Sequence, residues 1–99
     1  ANHGIIPQLP EDCVIETNCV IGEDGAKPMT TDVPLTVLGL IEQVKAYEIL
    51  TIEAAVTGDR KTALMALMNN PLVHDIKDAR HILDDMIRAH EAYLPQFRK

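Results

Sequence analysis

The sequence predicts an α+β fold, with an N-terminal β-hairpin segment followed by about three α-helices. Residues 1–34 are rich in turn-forming and β-branched residues, whereas residues 35–94 consist mostly of apolar runs with helical spacing. Gly and Pro residues separate these runs where helices usually begin and end. With 99 residues, the chain is at most one domain.

The first predicted element is a strand that leads into a hairpin. Residues Cys13–Ile21 are rich in β-branched side chains, which predicts a strand. The dipeptide Asp24-Gly25 favours a tight turn and returns the chain as a short second strand around Ala26–Met29. Two strands alone are only marginally stable, and no third strand is predicted. We therefore expect the hairpin to join a sheet supplied from elsewhere.

The first predicted helix begins at Leu35 and ends before Gly58, a natural helix stop, while Pro34 suits its first turn. Its apolar side chains occupy most of the circumference, so it needs cover on nearly every side. Exposing two or three of them forfeits several kcal/mol at about 25 cal/mol per Å². Because a small domain is stable by only about 5–15 kcal/mol, we expect another domain or subunit to cover this helix.

Two shorter helices follow. Asp59 is the predicted N-cap of a second helix, which the Asn-Asn-Pro run at 69–71 ends. Asp75 is the predicted N-cap of a third helix, which Pro95 closes. The apolar residues of the third helix form one stripe: Ile76, Ala79, Leu83, Met86, Ile87 and Leu94.

Composition excludes several classes of function. Nine Lys and Arg against 15 Asp and Glu give a net charge of −6, which repels nucleic acid and anionic membranes. No apolar run approaches the roughly 18–20 uncharged residues of a membrane span. Cys13 and Cys19 form no CxxC motif, and a reduced compartment is favoured. No His is placed in sequence to activate either thiol.

The polar residues of the helices give no clear site. His74, Asp78 and His81 share one face of the third helix, a spacing that metal sites use. A solvated polar face explains the same pattern, and no metal site is predicted. Glu48 and Glu53 diverge by about 140° and cannot form a facing acid/base pair. Each acidic residue of the first helix is expected to make a salt link or meet a backbone amide, and Lys45 can pair with either of two neighbours: Glu42 and Glu48.

The N-terminal turn of Asn2, His3 and Gly4 is the one polar cluster that could line a cleft. The chain has no phosphate-binding glycine loop, nucleophile elbow or carboxylate dyad. The residues themselves therefore predict no self-contained catalytic apparatus.

Three segments resemble, in order and spacing, the C-terminal end of glycoside hydrolase family 4, with the strongest similarity to 6-phospho-β-glucosidases. They are ANHGIIPQLPEDCVIE, QVKAYEILTIEAAVTGDRKTALMALMNNPLV and ILDDMIRAHEAYLPQF. The most specific pieces are Glu53–Asp59, Tyr93–Phe97, Asn2-x-Gly4, Leu9-Pro10 and Asp12. The similarity is weakest over Gly22–Leu35.

The resemblance implies a larger α/β enzyme whose C-terminal domain is of the lactate/malate dehydrogenase-like type. Its N-terminal part would bind NAD and a divalent metal, usually Mn²⁺. Such enzymes oxidise the sugar at C3, eliminate the aglycone after loss of the C2 proton, and add water and hydride back, an exception to the two-carboxylate rule for glycosidases. A phosphorylated disaccharide substrate, the cytoplasm, and a homodimer or homotetramer are also implied.

The resemblance also implies a structural role for these 99 residues. Residues 1–34 would complete a sheet of the substrate domain, residues 35–99 would form its helical wall, and Ala1 would be a cut end. None of the family's nucleotide-binding, metal-binding or base motifs matches a position here, so no catalytic, cofactor or metal residue is assigned, and the segment alone is expected to be inactive. The turn at Asn2, His3 and Gly4 remains the candidate approach to a cleft.

Two alternatives stay open. A free-standing helical dimerisation or adaptor module explains the apolar first helix equally well, because a partner subunit could cover it. Within the family, the substrate could instead be that of an α-glucosidase, an α-galactosidase or a uronidase. The unpartnered hairpin favours the enzyme over the adaptor.

Overall fold

The structure, a computed structural model, describes residues 1–98. Its elements are β1 (Cys19–Gly22), β2 (Gly25–Pro28), α1 (Leu35–Thr57), α2 (Arg60–Asn69), α3 (Ile76–Ala89) and two 3₁₀ turns at Glu91–Tyr93 and Pro95–Phe97. This order confirms the predicted α+β fold of one hairpin and three helices. The predicted helical part, 35–99, includes Lys99, which lies outside the described residues. The chain divides into two compact units, Ala1–Gly39 and Leu40–Lys99.

The strands are shorter than the sequence predicts. β1 begins at Cys19, so the strand predicted over Cys13–Ile21 is wrong for its first six residues: Cys13 lies in a bend, and residues 14–18 have no regular structure. β-branched composition favours extended backbone, but a strand also needs a neighbour, and β2 has only four residues. The two strands pair antiparallel, with Cys19 opposite Pro28.

In the hairpin, the residue with a positive φ follows the two-residue loop and is not part of it. Gly22 pairs with Gly25 across Glu23 and Asp24, and neither loop residue has a positive φ. The loop is therefore not one of the mirror-image turns that two-residue hairpins favour. Gly25, with φ of 101°, supplies the positive φ instead, in a region that only glycine adopts readily.

The helix boundaries follow the predicted capping residues. Pro34 accepts the first two backbone bonds of α1, from Val37 and Leu38, both at 3.0 Å. The helix ends where Gly58 turns to φ of 72°. A carboxylate oxygen of Asp59 accepts from the Thr62 backbone N–H at 2.9 Å and so caps α2, as predicted.

The third helix starts as predicted but ends early. Asp75 caps it by accepting from the Asp78 backbone N–H at 2.8 Å. It stops at Ala89, and the prediction that Leu94 belongs to this helix is wrong. Because Pro95 has no N–H and disfavours helical backbone at Leu94, the chain tightens into one 3₁₀ turn, Glu91–Tyr93, before the proline. Pro95 opens the second turn and does not close α3.

The first helix is largely uncovered. Of its 23 residues only Ala54 is buried. Ile52 and Val56, one turn apart, are 64% and 78% exposed, and Ile49 on the same face is also exposed. None of the helices within residues 1–98 combines the length and apolarity that crossing a membrane requires.

Candidate functional site

The predicted N-terminal turn is built around the side chain of Asn2, which is fully buried. Its Nδ2 donates to three backbone carbonyls, those of Ile6, Leu9 and Pro10, at 2.9–3.1 Å. Its Oδ1 accepts from the Ile6 backbone N–H at 2.8 Å. The side-chain amide thus satisfies backbone N–H and C=O groups of the loop that follows it, and these bonds occupy both its nitrogen and its oxygen.

The other two residues of the turn face solvent. His3 and Gly4 are exposed, with φ of 48° and 80°. A left-handed conformation is uncommon for a residue with a side chain, and outliers of this kind cluster at functional sites. His3 is therefore the exposed side chain that this turn presents, next to the buried Asn2.

The residues with metal-like spacing do not form a site. His74 precedes the N-cap of α3, and His81 is exposed on that helix. Asp78 lies in the first turn of α3, where its backbone N–H donates to the Asp75 cap, and Asp85, one turn beyond His81, pairs with Arg88. Across residues 1–98, no group of three or more His, Cys, Asp or Glu side chains is placed to hold a metal ion.

The remaining candidates are a lysine of α1 and the two cysteines, and none of them lies in a cluster of reactive groups within the described residues. Lys45 Nζ lies 2.6 Å from Glu48 Oε2, which confirms one of its two predicted partners. Both cysteines are free thiols. Cys13 is buried in the N-terminal loop and Cys19 is exposed on β1, so the two do not lie on one strand.

A contact that the sequence did not predict joins the end of α1 to the second 3₁₀ turn. Gln96 Nε2 donates to the Ala55 carbonyl at 2.8 Å, which satisfies a backbone oxygen of the last helical turn. A Cβ on Gly58 would lie 2.0 Å from the Gln96 carbonyl oxygen, so only glycine fits. We call this contact of Ala55 and Gly58 with Gln96 the clasp.

The clasp brings together the two segments on which the family resemblance is most specific, Glu53–Asp59 and Tyr93–Phe97. Helical periodicity gives no signal for such a contact, because its partners lie in different elements. The only available signal was the occurrence of these two short segments in the resemblance itself.

An apolar groove of about 220 Å³ lies beside the clasp. Its walls come from all three helices and from the turn that carries Gln96, and include Tyr47, Ala54, Ala63, Leu83 and Phe97. Small residues at the contact allow helices to approach closely, and the lining offers almost no polar group. The groove is suited to packing and not to catalysis.

The carboxylate of Asp59 has a lowered pKa. The hydrogen bond from the Thr62 hydroxyl, followed by that from the Thr62 backbone N–H, holds the pKa of Asp59 below its ordinary value. The group is fully exposed and caps α2. The shift therefore reflects helix capping and does not mark a catalytic acid.

Known proteins match this chain along nearly all of its length. Residues 1–73 match the sequence model of the family 4 glycosyl hydrolase C-terminal domain. A probable 6-phospho-β-glucosidase of Bacillus subtilis is 50% identical over 97 residues, covering 97% of this chain and 22% of the relative. The 6-phospho-β-glucosidase of Escherichia coli is 41% identical over 98 residues, covering 97% of this chain and 22% of the relative.

Solved structures show the same relation. A 6-phospho-α-glucosidase from gut microorganisms, in complex with NAD and Mn²⁺, matches with a TM-score of 0.87 and 33% identity, over 98% of this chain and 23% of that one. The 6-phospho-β-glucosidase of Thermotoga maritima, with NAD and glucose-6-phosphate, matches with a TM-score of 0.78 and 35% identity, over 94% of this chain and 23% of that one.

The hairpin, the three helices and these matches define the C-terminal domain of a larger α/β enzyme. The chain spans about a fifth of the length of the curated relatives it matches. It belongs to the family 4 glycosyl hydrolases, as their C-terminal domain.

Proposed function

We propose that this chain is the C-terminal part of a 6-phospho-β-glucosidase that uses NAD and a divalent metal, by the route of C3 oxidation, elimination and addition of water. The observation that carries the proposal is the 50% identity with the probable 6-phospho-β-glucosidase of Bacillus subtilis. The phospho-α-glucosidase PagL of Clostridium acetobutylicum is 33% identical over 93 residues. The higher identity with the β-glucosidase than with the α-glucosidase favours the β-anomer of the substrate.

The cofactors are proposed to bind outside residues 1–98. NAD and Mn²⁺ accompany the 6-phospho-α-glucosidase from gut microorganisms, but the described residues of this chain offer no metal-ligand set. No step of the reaction is therefore assigned to a residue of this chain. We expect the 99 residues alone to be catalytically inactive.

The proposed contribution of this chain is structural. The exposed apolar face of α1, which includes Ile49, Ile52 and Val56, supports burial against another part of the enzyme or against a second subunit of a dimer or tetramer. The hairpin supports a role in completing a sheet of the substrate domain. Phosphorylated sugars arise during uptake, which supports the cytoplasm as the compartment.

One side chain is proposed to reach the substrate cleft. His3 is exposed with a left-handed backbone, its N–H donates to the Glu11 carbonyl at 2.8 Å, and it follows the fully buried Asn2. A residue held in this way has a defined direction without being used for packing. We assign it to the border of the cleft, in contact with substrate and not with the reacting atoms.

A second candidate is the α-anomer. Two 6-phospho-α-glucosidase structures match with a TM-score of 0.87, against 0.78 for the β-specific Thermotoga enzyme. The backbone similarity of this domain therefore favours the α-anomer, whereas the sequence identity favours the β-anomer. Paired substrates separate the two candidates.

The test is a chimera in which this chain replaces the matching region of the Bacillus subtilis relative. With NAD and Mn²⁺, we expect hydrolysis of p-nitrophenyl 6-phospho-β-glucoside, at least 10-fold slower turnover of the α-anomer, and none by the 99-residue chain. A folded chimera that binds NAD but hydrolyses neither anomer contradicts the proposed function. Preference for the α-anomer selects the second candidate.

Two variants of the chimera test the cleft assignment. His3→Ala is expected to raise KM about 10-fold with little loss of kcat, because a contact in both ground and transition states acts mainly on binding. His74→Ala is the matched control, an exposed histidine before α3. Equal kinetics for the two variants contradict the role of His3.

A further inference from the structure

Three of the four arginines of this chain line one cavity of about 240 Å³. Arg60 lies in the first turn of α2, Arg88 in the last turn of α3, and Arg98 directly after the second 3₁₀ turn. The fold therefore gathers side chains from three elements that lie far apart in the sequence. In a chain with a net charge of −6, this places most of the guanidinium groups around one small space.

Two ion pairs beside the cavity engage only part of each guanidinium. Arg60 pairs with Asp84, and Arg88 pairs with Asp85, each through Nη2. A guanidinium carries five N–H donors on three nitrogens, so a contact through one nitrogen leaves donors for a further acceptor. The four side chains are between 47% and 77% exposed, and exposed pairs of this kind are weak. An anion can therefore share the arginines with these carboxylates or displace them.

Arg98 brings a positive charge that no carboxylate within residues 1–98 pairs with. Its Nε and Nη2 both donate to the Glu91 backbone carbonyl, at 3.3 and 3.0 Å. Because a carbonyl is neutral, it orients the guanidinium without cancelling the charge. Arg98 is thus held at the cavity wall with its charge available to an anion.

We propose that this cavity binds a phosphate group, held by Arg60, Arg88 and Arg98. Guanidinium groups bind phosphate oxygens through paired, charge-assisted N–H bonds, which are stronger than bonds between neutral groups. A phosphate has enough oxygens to meet all three arginines and carries more charge than a carboxylate. The three arginines exceed the two carboxylates that also line the cavity, those of Asp84 and Glu91, so the net charge of the lining favours the more highly charged anion.

Titration with inorganic phosphate tests the site. The phosphate is added to the chain at constant ionic strength, and the side-chain Nε–Hε NMR signals of the four arginines are followed. We expect the signals of Arg60, Arg88 and Arg98 to shift along one saturating curve. The signal of Arg80, an exposed arginine of α3 that does not line the cavity, should stay unchanged. The absence of a saturating shift, or an equal shift at all four arginines, overturns the proposal.

Two substitutions separate the site from a general effect of charge. Arg98→Gln keeps a side-chain donor for the Glu91 carbonyl but removes the charge, and should weaken phosphate binding at least 5-fold. Arg80→Gln changes the net charge by the same amount and should leave the affinity unchanged. Equal affinities of the two variants overturn the proposal. If Arg98→Gln lowers the thermal midpoint of the helical signal, Arg60→Gln provides the same test from α2.

The choice of anion identifies the class of ligand. Acetate, with one charge and two oxygens, should bind at least 5-fold more weakly than inorganic phosphate, and equal binding overturns the assignment to phosphate. Glucose 6-phosphate then tests the source of the group: affinity at or above that of inorganic phosphate indicates a phosphate ester, and weaker binding indicates the free ion. Either result keeps the phosphate assignment. Because these measurements use the chain without a cofactor, they do not depend on whether the chimera hydrolyses a glycoside.

Discussion

The two compact units of this chain are organised around different kinds of side chain. The unit Ala1–Gly39 buries Asn2, a polar residue with no exposed surface, together with the apolar residues Ile6, Leu9 and Cys13. The unit that begins at Leu40 buries small apolar residues, among them Ala66 and Ala79. Directional hydrogen bonds define one loop conformation, whereas alanines allow close approach of helices without specifying a unique arrangement. The loop of the first unit is therefore defined largely by the hydrogen bonds of Asn2, and the second unit by many apolar contacts and the clasp.

The largest expected effect is the loss of Asn2. Asn2→Ala leaves the Ile6 N–H and three carbonyls without their partner, and each buried unsatisfied group costs about 1–3 kcal/mol. We expect the first unit to open locally, with the Ile6 amide exchanging at least 100-fold faster while the helical signal is retained. Asn18→Ala, at an exposed asparagine of the same unit, is the control and should leave Ile6 protected. If the exchange rate of the Ile6 amide is unchanged in Asn2→Ala, the first unit is not organised around Asn2.

The next effect tests the clasp. Gly58→Ala places a Cβ 2.0 Å from the Gln96 carbonyl oxygen at a φ of 72°, which we expect to cost about 1–3 kcal/mol. The measurement is the thermal midpoint of the helical signal. Gly39→Ala is the matched control, since nothing lies within 4 Å of a Cβ there, and it should stabilise α1 by up to about 1 kcal/mol. A Gly58→Ala midpoint at or above that of wild type would show that the clasp does not hold.

A smaller effect isolates the side-chain part of the clasp. Gln96→Ala removes the bond to the Ala55 carbonyl, an exposed contact, and should lower the free energy of unfolding by about 0.5–1.5 kcal/mol. Gln43→Ala, at an exposed position of α1, serves as the control. Losses of the same size from both substitutions imply that the Gly58 approach, and not this hydrogen bond, carries the clasp.

The smallest effect concerns pH. The pKa of Asp59 is lower in the folded chain, so its stabilisation of α2 is fully present above its unfolded pKa of about 3.9 and is lost as the pH falls through the folded value. The difference in thermal midpoint between wild type and Asp59→Asn should therefore shrink from pH 7 to pH 2.5. Asp12→Asn controls for net charge. A difference that stays constant with pH contradicts the charged cap.

The sequence predicted features whose causes are local. The caps Asp59 and Asp75 and the stop at Gly58 depend on neighbouring residues, and all three are confirmed. The strand over Cys13–Ile21 was predicted too long because composition does not show where a pairing partner ends. The end of α3 was misplaced because the effect of Pro95 reaches back along the chain.

The features of the candidate site that were not predicted depend on contacts distant in sequence or on burial. Asn2 was recognised as part of a turn, but its complete burial follows from carbonyls up to eight residues away. The approach of Gln96 to Gly58 has no periodic signal at all. Cleft lining by His3 stays a prediction, since residues outside 1–98 would form the rest of the cleft.

The clasp also constrains the order of events during synthesis of the chain. The end of α1 meets Gln96, roughly forty residues further along, so helices α1 and α2 leave the ribosome before the residue that completes them. Closing a loop of that length has an entropic cost that short-range helix contacts do not share. Until Gln96 arrives, the Ala55 carbonyl is hydrated, so the last turn of α1 gains this side-chain partner only late in synthesis.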